Sequence, residues 1–417
     1  MNTVSAYIHK HLRFNVFVGL VDAALFGVGW GFSSFGTIIP LFVSQMTDSA
    51  ILIGLIPAIH AVGWQLPQLF TANQVARLRR YKPMVLLMTI HERLPFMGLA
   101  LAAWLLPVWG AKVVLPFTFL MLIWQGLGSG FTANPWQSMI AKIIPAEARG
   151  SFFGVQAAVA NITISGTAVI AGYLLDLFDS PLDYVLCFGI ASIGYWLSMA
   201  VLSLTREPED NEKIIPEHTS PVWQGLVEIL RRDRNFAAFM LVRILYQFAT
   251  MGFAFYIVYG LRRFDMGPVI AGYLTAALTI SQTIANAGMG WLGDRVGHRA
   301  MLIVGMLAVV VSSLVAWVAP SVNWLYLVFI AAALANVAYW TIGMAITVEF
   351  GSEAERPLYI GMSNTFVAPF TIAAPIVGGW IADSFGYQST FLVSALGGMV
   401  VTLLMIFLVK DPRKAAR

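Results

Sequence analysis

Twelve runs of predominantly apolar residues, divided by short polar loops, limit what this chain can fold into. They cover 14–43, 51–71, 83–106, 113–135, 151–175, 184–204, 236–259, 269–291, 300–319, 324–348, 357–382 and 388–409. A helix needs about 20 such residues to cross the hydrocarbon of a bilayer. Helices are the form to expect, because hydrocarbon offers no partner to a backbone amide, and the alternation of a barrel strand is missing. The chain is 59% hydrophobic and 11% charged, whereas a soluble domain carries about 25% charged residues. Lipid is therefore its solvent, and an all-α membrane protein follows.

Lysine and arginine predict the orientation. With the N-terminus in the cytoplasm, Lys112, Arg262 and Arg263 fall on the outer side, and Arg93 and Arg243 fall within spans. Every other basic residue lies in a cytoplasmic segment. An even number of spans returns the C-terminus to the same side. The expected location is a plasma or inner membrane, multi-pass, with both termini cytoplasmic. The first run is longer than the apolar core of a signal peptide and contains Asp22. The net charge of +4 is scattered over short loops and does not suggest nucleic acid. Cys187 is the one cysteine, so no intramolecular disulfide can form.

The longest polar stretch divides the chain into a six-helix half at 1–204, a cytoplasmic linker at 205–235 and a second half at 236–417. Within the linker, Val222, Trp223, Leu226, Ile229 and Leu230 recur at helical spacing. That predicts a short helix, lying on the membrane surface or solvated. The halves also echo each other. The stretch after the second span, 73–84, aligns with 290–301, and 147–154 aligns with 354–361. Duplicated halves imply a cavity between them near the middle of the membrane.

The second copy holds the most informative motif: Gly290, Leu292, Asp294, Arg295, Gly297 and Arg299, with His298 at a position usually basic. It resembles the G-x-L-x-D-R-x-G-R-[KR] turn of the major facilitator superfamily of secondary transporters. The resemblance extends over the whole chain and implies two pseudo-symmetric six-helix bundles. It also implies alternating access, a small organic solute, no cofactor and a monomer. In that family the turn is a gate, its Asp latching the cytoplasmic side. The first-half copy departs from the pattern, with Arg77 where the Asp belongs and Arg80 in place of the second Gly. Span four keeps Gln125, Gly126 and Gly128 of an R-x-x-Q-G-x-G signature but has Leu122 at the Arg. The G-P-x-x-G-G motif of proton antiporters is missing from span five and only echoed by Pro375, Gly378 and Gly379.

Ionisable groups within spans are costly and hence functional candidates. They are Asp22, Glu92, Arg93 and Arg243, each about 10–15 Å along its helix from the cytoplasmic side. Asp22 and Glu92 are the candidate proton-coupling carboxylates, because burial raises a carboxyl's proton affinity and a neighbouring arginine lowers it. The bland alternative is a permanent set of ion pairs made by Arg93 and Arg243. Alignment of spans one and seven places Arg243 next to Asp22; its rival role is to hold an anionic group of the solute. Trp124, Gln125, Asn134, Tyr246, Gln247, Asn336, Tyr339 and Trp340 are candidate solute contacts, although each is equally a packing residue. His60 and Trp64 stand one turn apart in span two as further cavity candidates.

No His, Cys or carboxylate group has metal-ligand spacing. Gly27, Gly29 and Gly31, like Gly126, Gly128 and Gly130, follow no strand and fit close helix packing better than nucleotide binding. A P-loop is missing. Of the rival classes, an intramembrane aspartyl protease would need a glycine where Trp291 stands, and a rhomboid-like G-x-S-G fails at Ser34. A transporter-like sensor would add a soluble signalling domain. The expected partners are a small organic solute, protons and the lipid bilayer.

Overall fold

The computed structural model describes residues 3–209, 229–347, 349–351 and 356–412. Residues 222–228 of the expected linker helix lie outside them. Among the described residues there is no strand, and twelve helical stretches are long and apolar enough to cross a membrane. In chain order the helices are α1 (Thr3–Phe32), α2 (Ile38–Ser44), α3 (Ala50–Ala76), α4 (Lys82–Trp109), α5 (Ala111–Ile143), α6 (Ala146–Leu177) and α7 (Leu182–Leu202). They continue as α8 (Arg234–Ala249), α9 (Tyr256–Phe264), α10 (Pro268–Val296), α11 (His298–Val318), α12 (Trp324–Val337), α13 (Gly343–Thr347), α14 (Arg356–Phe385) and α15 (Tyr387–Phe407).

Three spans are broken, two of them by side-chain bonds back onto the helix. In span one the Ser33 hydroxyl bonds back to the Gly29 carbonyl and Ser34 Oγ accepts from the Gly36 amide, so the helix stops and restarts as α2. Such side-chain bonds compete with the helical ladder. In span seven the Thr250 hydroxyl bonds to the Tyr246 and Gln247 carbonyls, and a 3-10 turn at Met251–Phe255 links α8 to α9. In span ten a π-turn at Ala338–Ile342 joins α12 to α13.

The chain forms two compact units. Unit 1 holds residues 1–47, 59–216 and 267–276; unit 2 holds 48–58, 217–266 and 277–417. The division differs from a simple cut at the linker in two short exchanges. The first turns of α3 belong to unit 2, where the Asp383 carboxylate accepts from the Ala50 amide at 2.7 Å. A Cβ on Gly379 would lie 2.5 Å from the Ile51 Cα. The first turns of α10 belong to unit 1, where Gly172 packs against the Pro268 backbone and the Tyr173 and Tyr273 hydroxyls bond at 2.8 Å. Close approach without side chains is the reason in both places.

Inside unit 1 glycines bring helices into backbone contact. A Cβ on Gly63 would fall 2.5 Å from the Gly126 carbonyl carbon, and one on Gly128 would fall 2.5 Å from the Glu92 amide. The second contact lays α5 directly against the turn of α4 that carries Glu92 and Arg93.

Candidate functional site

α7 supplies the back wall of the site in unit 1. Its Tyr195 carbonyl accepts a hydrogen bond from the Arg93 guanidinium of α4. Three residues on, the Ser198 hydroxyl donates to Asp22 Oδ1 of α1 at 2.5 Å. Residues three apart share one helix face, so a single stripe of α7 holds both charges. The Tyr195 ring fixes that stripe, stacking on Phe96 with centroids 4.3 Å apart and meeting Phe26 edge-on at 5.2 Å. Asp22 is 7% and Arg93 3% exposed.

These groups border a cavity of about 470 Å³ within unit 1. Asp22, Glu92 and Arg93 supply its charge, Ser129, Thr132 and Gln156 its neutral polar groups, and Phe26, Trp64, Trp136 and Phe153 its aromatic walls. Arg93 acts electrostatically on both carboxylates. Among the described residues it makes no salt bridge within 4 Å, and its Nε has no partner. The Glu92 carboxylate likewise makes no hydrogen bond among the described residues. The arrangement is one cation between two carboxylates, open to a space large enough for a small organic molecule.

Arg93 thus makes no direct ion pair among the described residues. Arg93 spends its hydrogen bond on a backbone carbonyl, and Asp22 takes a hydroxyl. Arg243 lies in unit 2, where its NH1 donates to Ser363 Oγ at 2.6 Å. No carboxylate of that unit stands within salt-bridge distance among the described residues.

The expected solute contacts separate by position. Trp124 turns away from the cavity towards His91, its Nε1 lying 3.4 Å from His91 Nδ1. Gln125 is buried and bonds His60 Nδ1 at 3.0 Å, with the His60 ring stacked on Phe35 at 4.3 Å. Asn134 ties α5 to α3 through the Gln68 carbonyl and the Thr71 hydroxyl. None of these three lines the 470 Å³ cavity, whereas Trp64 does. In unit 2, Tyr246 and Tyr339 stack at 5.3 Å beside Arg243 and share a small cavity with it. Gln247 accepts from the Thr371 hydroxyl, and Asn336 bonds back to its own helix at Ala332. Trp340 is 38% exposed.

Ser129, Thr132 and Trp136, like Phe153, Gln156 and Ala160, were not among the expected contacts; their spacing at i, i+3 and i+7 is the signal that could have found them. Ser198 gave no signal beyond a hydroxyl in an apolar span.

The charged turn of the second half is built differently from its motif. Gly297 adopts φ +106° between α10 and α11, a conformation a side chain would strain. Gly290 has open space around it, and the close contact falls at Gly293, whose Cβ would lie 2.8 Å from His298 Cδ2. Arg299 donates to the Met405, Ile406 and Val409 carbonyls at the end of α15. Arg295 lies 3.8 Å over the Trp291 ring. His298 bonds Glu349 Oε1 at 2.5 Å and stands 3.7 Å from Asp294, which is 77% exposed. In unit 1 the degraded copy has a substitute acid. Glu207, arriving after α7, accepts from the Tyr81 and Lys82 amides at 2.8 Å each and pairs with Lys142 at 3.2 Å. A carboxylate at a helix N-terminus is favoured by the unpaired amides there.

The family model for the Major Facilitator Superfamily matches residues 83–271 and 261–417. A multi-drug resistance efflux pump of Streptococcus pneumoniae, PmrA, is 23% identical over 284 residues, covering 67% of this chain and 68% of that protein. The crystal structure of the nucleoside transporter NupG superposes with a TM-score of 0.73 at 13% identity, covering 95% of this chain and 100% of that one. That of a D-xylose–proton symporter gives 0.69 at 16%, covering 95% and 98%.

Proposed function

The chain belongs to the Major Facilitator Superfamily and is a multi-pass secondary transporter, and from that premise we propose that it exchanges a small amphipathic organic solute for protons. Asp22 and Glu92 carry the proton, and both termini face the cytoplasm of a cell or inner membrane. One observation carries the reading: two carboxylates and one arginine border a single cavity in unit 1. With both carboxylates ionised the trio has a net charge of −1, and a buried net charge is costly. One proton makes it neutral. Loading and unloading that proton alters the cavity's charge by one unit without moving Arg93, which Tyr195 holds in place.

The aromatic walls and sparse hydroxyls suit a flat, partly apolar molecule. Export is the direction supported by the efflux activity named for the S. pneumoniae relative. The test is uptake of amphipathic dyes such as ethidium into inside-out proteoliposomes under an imposed pH gradient. Wild-type protein is expected to concentrate a dye only with the gradient, and Asp22→Asn and Glu92→Gln to lose that dependence. Gradient-driven transport with an unchanged pH profile in both variants would sink the coupling.

A further inference from the structure

A groove of about 480 Å³ opens in unit 2 where the α10–α11 turn meets the end of α15. Val296, Arg299, Ile406, Phe407, Lys410 and Asp411 are among its walls. Its volume is in the range of small-molecule sites. Backbone holds both of its cations in place. Arg299 Nε donates to the Val409 carbonyl at 2.7 Å, and its Nη2 donates to those of Ile406 at 2.7 Å and Met405 at 3.3 Å. Carbonyls position the guanidinium but carry no full charge to cancel it. Its Nη1 makes no hydrogen bond among the described residues and is not enclosed. Lys410 stands three residues beyond α15. The Asn235 side chain accepts from its amide at 2.7 Å and donates to its carbonyl at 3.0 Å. The Lys410 side chain is exposed and makes no salt bridge within 4 Å among the described residues.

Asp411 also lines the groove. Its Oδ2 rests against the turn, where a Cβ on Gly297 would lie 2.9 Å from it. With Arg299 and Lys410 it leaves the groove a net charge of +1, which one monoanion balances. Beside these charges are bare apolar side chains. Phe407 is 78% and Val296 60% exposed. Trp291, on the last turns of α10, is also exposed and carries Arg295 over its ring at 3.8 Å. An exposed tryptophan near the end of a membrane helix marks the headgroup level, and bulky apolar groups beside it face acyl chains. The groove thus joins two cations to a lipid-facing edge. Inorganic phosphate would use the cations alone, whereas a phospholipid uses both.

We propose that this groove binds the headgroup of an anionic phospholipid such as phosphatidylglycerol, in the leaflet on the side of the α10–α11 turn. Arg299 Nη1 and Lys410 Nζ hold the phosphate oxygens, and the first acyl carbons lie along Val296 and Phe407. Basic pockets between membrane helices near the surface suit such headgroups. A choline headgroup brings a cation of its own to a groove that is already positive and is disfavoured. The site is independent of the transport reading, because it uses none of the groups around Asp22.

The test uses the purified full-length protein in detergent, at fixed pH and ionic strength and without any gradient. Dioleoyl phosphatidylglycerol, dioleoyl phosphatidylcholine and soluble glycerol 3-phosphate are each titrated while unfolding is followed. Phosphatidylglycerol should give a saturable rise in unfolding temperature of about 3 °C. The rise should fall to about half in Lys410→Gln, which removes one of two cations, and return in Lys410→Arg. Arg295→Gln removes an exposed cation outside the groove and should keep the whole rise. No rise with phosphatidylglycerol, an equal rise with phosphatidylcholine, or an unchanged rise in Lys410→Gln overturns the site. An equal loss in Arg295→Gln does so too, since it would show attraction to the surface at large. An equal rise with glycerol 3-phosphate overturns the lipid as occupant. Native mass spectrometry of the unmutated protein gives a second reading that needs no variant. One phosphatidylglycerol retained in preference to phosphatidylcholine supports the site, and equal retention of the two overturns it.

Discussion

Ser198 donates a 2.5 Å hydrogen bond to Asp22, joining α7 to α1 at the buried edge of the cavity. A hydrogen bond to a charged group contributes about 1.5–3 kcal/mol, so the hydroxyl helps decide whether Asp22 holds its proton. Ser198→Ala is expected to lower the unfolding temperature and to displace the pH profile of transport. Ser198→Thr keeps the hydroxyl and should restore the profile. A purely structural serine would change stability and leave the profile where it was.

Gly128 is the point at which α5 meets α4. A methyl group there would lie 2.5 Å from the Glu92 amide, and backbone cannot swing aside as a long side chain can. Gly128→Ala should cost about 1–3 kcal/mol and reduce transport by moving Glu92 and Arg93 off the cavity. Gly166→Ala is the control, because nothing lies within 4 Å of its added Cβ. Differential scanning fluorimetry of the two variants checks the contrast.

Glu207 replaces the acid that the first-half turn lacks. Its side chain is 1% exposed and that of Lys142 10%, and it also caps α4. Removing one partner from a buried pair costs about 3–5 kcal/mol. Glu207→Ala is expected to lose most of its folded yield in detergent, whereas Arg77→Ala, at an exposed position, should unfold like the wild type. Equal unfolding temperatures for the two would remove Glu207 from this role.

In the second half the most family-like acid should matter least to stability. Asp294 is 77% exposed and 3.7 Å from His298, and such pairs contribute about 0–1 kcal/mol. Glu349 has a side chain 14% exposed and a 2.5 Å contact with the same ring. Glu349→Gln should therefore lower the unfolding temperature more than Asp294→Asn. The reverse order would show that Asp294 carries the turn.

Several features were legible because only one term governs them. Lipid forbids unpaired backbone, so the helices at 83–106 and 388–409 follow from apolar length alone, and the fold class with them. The same cost of charge in lipid singled out Asp22, Glu92, Arg93 and Arg243. The partners were less legible. Trp124 and Trp136 are both aromatic residues of α5, yet only Trp136 borders the cavity. Their difference depends on which face of α5 the glycines press against α3 and α4, a matter of three helices together. The breaks at Ser33 and Thr250 were hidden for a related reason, since apolar length is blind to a side chain bonding back onto its own helix.

Composition and periodicity by themselves determined the solvent, the span number and the residues whose burial needs a purpose, because transfer into hydrocarbon is a property of each segment alone. Tertiary structure decided that Asp22 answers to Ser198, that Arg93 leans on the Tyr195 carbonyl, and that Arg243 is left beside two tyrosines. Hydrogen bonds and ion contacts act over about 3 Å, and which groups come that close is settled only when separate helices pack.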